Sequence, residues 1–127
     1  MGKVYQHRAG WPDKLLGRVE DDGRVYRSDP GPDDRIGRVD LGSGEIHATR
    51  LGPDKYRGRV DLETGRVYRH VPAGPDEYLG RVNEDGRMDR HDPISPDDYM
   101  GKIKQPQSLA HTGAAFLLLV LPVEEKD

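Results

Sequence analysis

Residues 58–69 read G-R-V-D-L-E-T-G-R-V-Y-R, and this stretch decides the fold. Val60 and Val67 flank a four-residue loop, Leu62 to Gly65, and its last residue is the glycine that such a loop needs at positive φ. The loop sets Val60 opposite Val67, Asp61 opposite Arg66 and Arg59 opposite Tyr68. One face of the hairpin then carries valines, and the other an acid–base pair and a guanidinium over a tyrosine ring. Opposite charges across strands contribute roughly 0.2–1 kcal/mol, and an Arg–Tyr contact about 0.5–1 kcal/mol. These terms fix register, but a lone hairpin is marginal in water and needs neighbours.

The chain supplies them. Glycine recurs at Gly2, Gly23, Gly44, Gly65 and Gly86 with a step of 21 residues, which divides residues 2–22, 23–43, 44–64, 65–85, 86–106 and 107–127 into six units of one domain. Each of the first five opens on a strand such as Arg24-Val25-Tyr26-Arg27. A Pro-Asp corner follows at Pro12, Pro32, Pro53, Pro75 and Pro96, where proline presets φ and Asp bonds nearby backbone. A second strand starts at Gly17, Gly37, Gly58, Gly80 and Gly101. Hairpin loops of three or four residues keep the same facing pairs: Glu20 faces Arg24 and Asn83 faces Arg87, while Asp40 faces Glu45 at a small cost. Strict alternation argues for strands with the valine face inward.

The last unit differs. Gly113 to Leu121 is the only strongly apolar run. As a strand it sends Phe116, Leu118 and Val120 one way and Leu117, Leu119 and Leu121 the other. One set joins the core, and the other is left to contact another subunit, a lipid or the mouth of the ring. Val123-Glu124 resembles Val39-Asp40, and Gly2-Lys3-Val4 lacks a preceding partner. The expectation is an all-β protein with no helix beyond a turn or two: a closed ring or shallow barrel of about six radially arranged β-hairpins, closed by pairing of its N- and C-terminal strands. Closure removes exposed sheet edges.

Hydrophobic residues make up 33% of the chain and mean hydropathy is −0.88, a composition that leans toward disorder. The period argues otherwise, since about a dozen inward Val, Ile, Met and Leu positions, at roughly 1.5–3 kcal/mol each when fully buried, hold a narrow core once the petals share it. Twenty basic against 23 acidic side chains leave no unbalanced basic surface for nucleic acid. Without cysteine there is neither disulfide nor thiolate chemistry. No secretory signal is visible after Met1, so a cytoplasmic protein is expected, and the run 113–121 is too short for a transmembrane span, which takes about 20 residues.

The segments Y-L-G-R-V-N-E-D-G-R-M and R-G-R-V-D-L-E-T-G-R-V-Y-R resemble the bacterial β-flower proteins, shallow barrels of radially arranged hairpins. The resemblance covers nearly the whole chain, apolar C-terminal run included. Through that family's likeness to tubby-type barrels it implies membrane or hydrophobic-ligand association, and it supplies no catalytic residues. The Tyr-Asp pair of YD repeats and the further glycines of MORN repeats are missing.

Few side chains suggest chemistry. His7, His70 and His91 occupy one place in their units and are the candidate metal ligands, against a plain reading as polar strand ends. The corner aspartates, with Asp34 and Asp98, are oxygen donors of the kind calcium takes, but turn formation already explains them. Arg18, Arg38, Arg59 and Arg81 read as a solvated outer face, Tyr5, Tyr26 and Tyr68 as packing, and Trp11 as a cover over the closure. Polar groups that repeat with the scaffold offer no asymmetric active site. The expected function is therefore a non-enzymatic interaction module without cofactor, serving a protein partner or self-association. The alternative is a binder of an apolar small molecule or membrane lipid, through the ring centre or through Phe116, Leu117, Leu118, Leu119, Val120 and Leu121.

Overall fold

In the computed structural model, which describes residues 2–28 and 32–122, the repeat folds into a closed antiparallel barrel. Its strands are β1 (Gly2–Gln6), β2 (Lys14–Val19), β3 (Arg24–Arg27), β4 (Asp34–Val39), β5 (Glu45–Ala48), β6 (Lys55–Val60), β7 (Arg66–Arg69), β8 (Glu77–Val82), β9 (Arg87–Arg90) and β10 (Asp98–Ile103). Neighbours in sequence are neighbours in space, and β10 returns to pair with β1. The register is the expected one: Val60 faces Val67 and Arg59 faces Tyr68, with the Arg59 guanidinium 4.1 Å above the ring.

Two glycines per unit make the barrel possible. Gly65 has φ 81°, and a Cβ there would sit 2.1 Å from the Val82 carbonyl oxygen. It turns its own hairpin and also lets the next one approach, so that Val82 donates its N–H to Gly65 O at 2.8 Å. The second glycine of each unit follows a β-bulge. At β6, Ile46 pairs with Gly58 and His47 with Tyr56, which leaves Arg57 as the extra residue. Bulges bend a strand and raise its twist. One in each of β2, β4, β6, β8 and β10 curls the sheet into a ring.

Two expectations are corrected. The sixth unit is helical, not a hairpin, over its described residues, and the ring has ten strands in five hairpins. Closure is by β1 on β10, Val4 opposite Ile103 and Tyr5 opposite Lys102, which takes the place expected for Val123-Glu124; those two residues lie outside the described ones. The apolar run is not a strand either. After Gln105, at φ 57°, the chain enters α1 (Leu109–Ala115), which continues as a π-helical stretch (Phe116–Val120). Every residue from Ala110 to Leu121 is buried, and the helix packs against β1 and against β2, β4, β6, β8 and β10.

The physical reason lies in the width of the ring. About eight strands give a barrel whose interior side chains just fill. Ten leave a void that the inward row of Val4, Val25, Ile46, Val67 and Met88 cannot close. A helix that is apolar on all sides is one that is buried on all sides, and Ala and Leu are strong helix formers. Its backbone satisfies its own hydrogen bonds, which a solitary strand inside a barrel would not. The fit is close: a Cβ on Gly113 would fall 2.5 Å from Val60 Cβ.

Polar contacts set the helix in place. Ser108 caps its first turn, accepting from the His111 N–H at 3.4 Å. His111 is buried, and its Nε2 donates to the Asp21 carbonyl at 3.0 Å, which leaves Nδ1 to accept from Ser108 Oγ at 2.7 Å. The helix start is thereby tied to the first hairpin loop, which gives His111 a structural role.

Candidate functional site

The repeated polar residues are occupied with one another. His7, His70 and His91 place Nδ1 at 3.5, 3.6 and 3.5 Å from Asp13, Asp76 and Asp97, each in its own corner. Among the described residues no group of three His, Asp or Glu is placed to hold a metal ion. Arg38 and Arg59 reach forward to the next corner's aspartates, Asp54 at 3.0 Å and Asp76 at 3.3 Å. Arg18 does the same with Asp33, while Arg81 instead donates to the Thr64 carbonyl. Tyr26 and Tyr68 lie under Arg18 and Arg59, and Tyr5 under Lys104. Among the described residues the expected cross-strand salt bridges Asp61–Arg66 and Glu20–Arg24 do not form, although the backbones face each other, Asp61 N–H donating to the Arg66 carbonyl and Glu20 N–H to that of Arg24. Asp61 accepts from the Glu63 and Thr64 N–H groups, and Asp40 from those of Gly42 and Ser43. Those backbone bonds, Glu63 and Gly42 foremost, hold both carboxyls below the usual carboxylate range. Trp11 is 72% exposed and covers nothing.

The apolar run is buried in the barrel, with Phe116 and Val120 wholly inaccessible. Leu119 and Leu121 are buried with them, while Leu117 and Leu118 line a cavity beside Pro122, at the mouth where the helix ends. There Leu118 lies against Gly37 and Leu117 against Gly58.

This cavity, of about 380 Å³, marks where the five-fold pattern breaks. Three positions define each junction between a first strand and the bulged strand after it. The last inward residue of the first strand is Gln6, Arg27, Ala48, Arg69 or Arg90. The residue facing it is Lys14, Asp34, Lys55, Glu77 or Asp98. The bulge residue is Leu16, Ile36, Arg57, Leu79 or Met100. Three of the five junctions thus set an arginine against a carboxylate under an apolar bulge. The junction of β5 and β6 departs at all three positions: alanine for the arginine, lysine for the carboxylate, arginine for the apolar bulge.

The consequence is physical. Ala48 lines the cavity with a far smaller side chain than the arginines, Arg27 and Arg69, that hold its position in β3 and β7. Lys55 and Arg57 put two cations on its wall, and among the described residues neither has an ion-pair partner. Arg27 and Arg69 add charge at the sides, though Glu77 lies 3.4 Å from Arg69. Among the described residues no acid lines the cavity, and Leu117, Leu118 and Ile36 give it apolar lining. On the outer face of the same junction, His47 stands where β1, β3 and β7 carry Tyr5, Tyr26 and Tyr68 and β9 carries Asp89, and its buried Nδ1 has no partner among the described residues.

No family model, curated protein or solved structure matches the chain. The site therefore rests on geometry. Sequence reasoning passed over Ala48, Lys55 and Arg57 because it sought residues that recur, whereas the signal is a failure to recur, visible once the 21-residue units are aligned.

Proposed function

We propose that this chain is a non-enzymatic binding module of the β-flower kind, in which the regular barrel is scaffold and the irregular mouth at the β5–β6 junction is the binding face. The observation that carries the reading is that one junction departs at three positions together, with an open cationic cavity where three other junctions set an arginine opposite a carboxylate. Ligand sites combine a concave, largely apolar surface with a few convergent polar groups, and this cavity has both. The helix fills the ring centre, so a ligand or partner engages the mouth. The other polar groups serve the scaffold, which favours binding over catalysis. Among the described residues no helix is long and apolar enough to cross a membrane.

Native mass spectrometry tests the reading on the full chain and on a variant restored to the repeat, Ala48→Arg with Lys55→Glu and Arg57→Leu. The natural sequence is expected to carry a bound small molecule or second chain that the restored variant lacks. The same bound mass on both proteins, or on neither, counts against the mouth.

A further inference from the structure

Resting on that reading, we infer that the mouth cavity takes an organic anion, its carboxylate or phosphate held by Lys55 and Arg57 and its apolar body laid on Leu117, Leu118 and Ile36. At three other junctions a carboxylate from Asp34, Glu77 or Asp98 occupies the position facing the arginine. At the β5–β6 junction that carboxylate is missing and a lysine stands in its place, beside the bulge arginine. A ligand anion supplies the charge that the scaffold omits. Charge-assisted bonds of this kind are the strong ones, and a guanidinium fits carboxylate or phosphate in two-point geometry.

Size narrows the class. A cavity of about 380 Å³ is near the small end for small-molecule sites, about 300–1,000 Å³, which suits one short alkyl chain or one ring. The lining combines apolar side chains with cations, so the ligand is amphipathic: inorganic phosphate lacks the body and an alcohol lacks the charge. The same anion and short tail can come from a free acid or from a single-chain lipid in a bilayer.

Amide chemical-shift titration of the full chain distinguishes these. Hexanoate and hexyl phosphate are expected to shift the amides of Ala48, Lys55, Arg57, Leu117 and Leu118 saturably. Hexanol, hexylammonium and inorganic phosphate should bind at least about tenfold more weakly. Lys55→Glu and Arg57→Leu should each raise the Kd for hexanoate about tenfold or more without lowering the melting temperature, which separates loss of binding from loss of fold. Vesicles of phosphatidylglycerol carrying lysophosphatidic acid identify the source: binding to them that hexanoate competes away assigns the anion to a lipid, and binding of free hexanoate without vesicle binding assigns it to a soluble acid. Hexanol binding as tightly as hexanoate at the same amides would overturn the anion chemistry and leave the mouth as the binding face. Shifts confined to other residues, or none with any probe, would overturn both.

Discussion

The wall of this barrel is built five times over and its filling once. In the wall an error at one petal is matched against four sound copies, and each strand pairs only with the strand on either side of it. The helix touches strands all round the ring, so one of its side chains serves several petals together. The difference teaches where stability is concentrated. The wall supplies closure and register, and the helix supplies the volume without which ten strands have nothing to close upon.

Breaking the filling should cost most. Phe116→Ala deletes a wholly buried ring and is expected to cost about 3–5 kcal/mol, read as a fall in denaturation midpoint. Next comes a hinge of the wall. Gly65→Ala meets a left-handed φ and the Val82 carbonyl together and should cost more than Gly10→Ala. Gly10 has φ 75° but nothing within 4 Å of its Cβ position, so the strain there is about 1–2 kcal/mol. Equal losses would show that the petals do not press on one another at their glycines.

Where wall and helix meet, Gly113→Ala gains about 0.5–1 kcal/mol of helix propensity and incurs about 1–3 kcal/mol of overpacking against Val60. A net loss is expected in thermal melting, and a net gain would mean that the helix stands further from β6.

Acid sharpens the comparison, because the helix carries no carboxylate between Leu109 and Val120 and the loops of the wall carry several. Asp40, Asp61 and Asp92 have carboxyls held low by backbone N–H bonds, chiefly from Gly42, Glu63 and Ile94. A depressed folded-state pKa gives stability that is present above the unfolded carboxylate value, about 3.9, and is lost as pH falls through the folded value. The melting temperature should therefore drop as pH falls from 5 toward 2, and Asp40→Asn with Asp61→Asn should flatten that drop.

The smallest effect is expected where the wall departs from itself. Ala48→Arg with Lys55→Glu restores an exposed cross-strand pair like Arg69–Glu77 and should stabilise the fold by about 0.2–1 kcal/mol. A loss would mean that the junction is tuned for stability and not for a ligand.

The wall was legible in the sequence because its signals are local. Gly65 needs a turn, Val60 and Val67 alternate, and Pro75-Asp76 makes a corner, each within a few residues. The helix was not, because Phe116 to Leu121 is apolar at every position and carries no period with which to choose helix or strand. What chooses is the diameter of the ring, a property of all ten strands. The bulges at Leu16, Ile36, Arg57, Leu79 and Met100 escaped notice for a related reason: an extra residue shows only against its partner strand. The mouth was hidden by the regularity that revealed the wall, since Ala48, Lys55 and Arg57 are informative only as exceptions to it.

Residue-resolved hydrogen exchange tests most directly the claim that wall and filling are one structure. The amides of Ala114 to Val120 and those of Val25, Ile46 and Val67 are predicted to exchange only through global unfolding, with a single common free energy. Helix amides that exchange as fast as those of the Pro-Asp corners, while the strands stay protected, would contradict it.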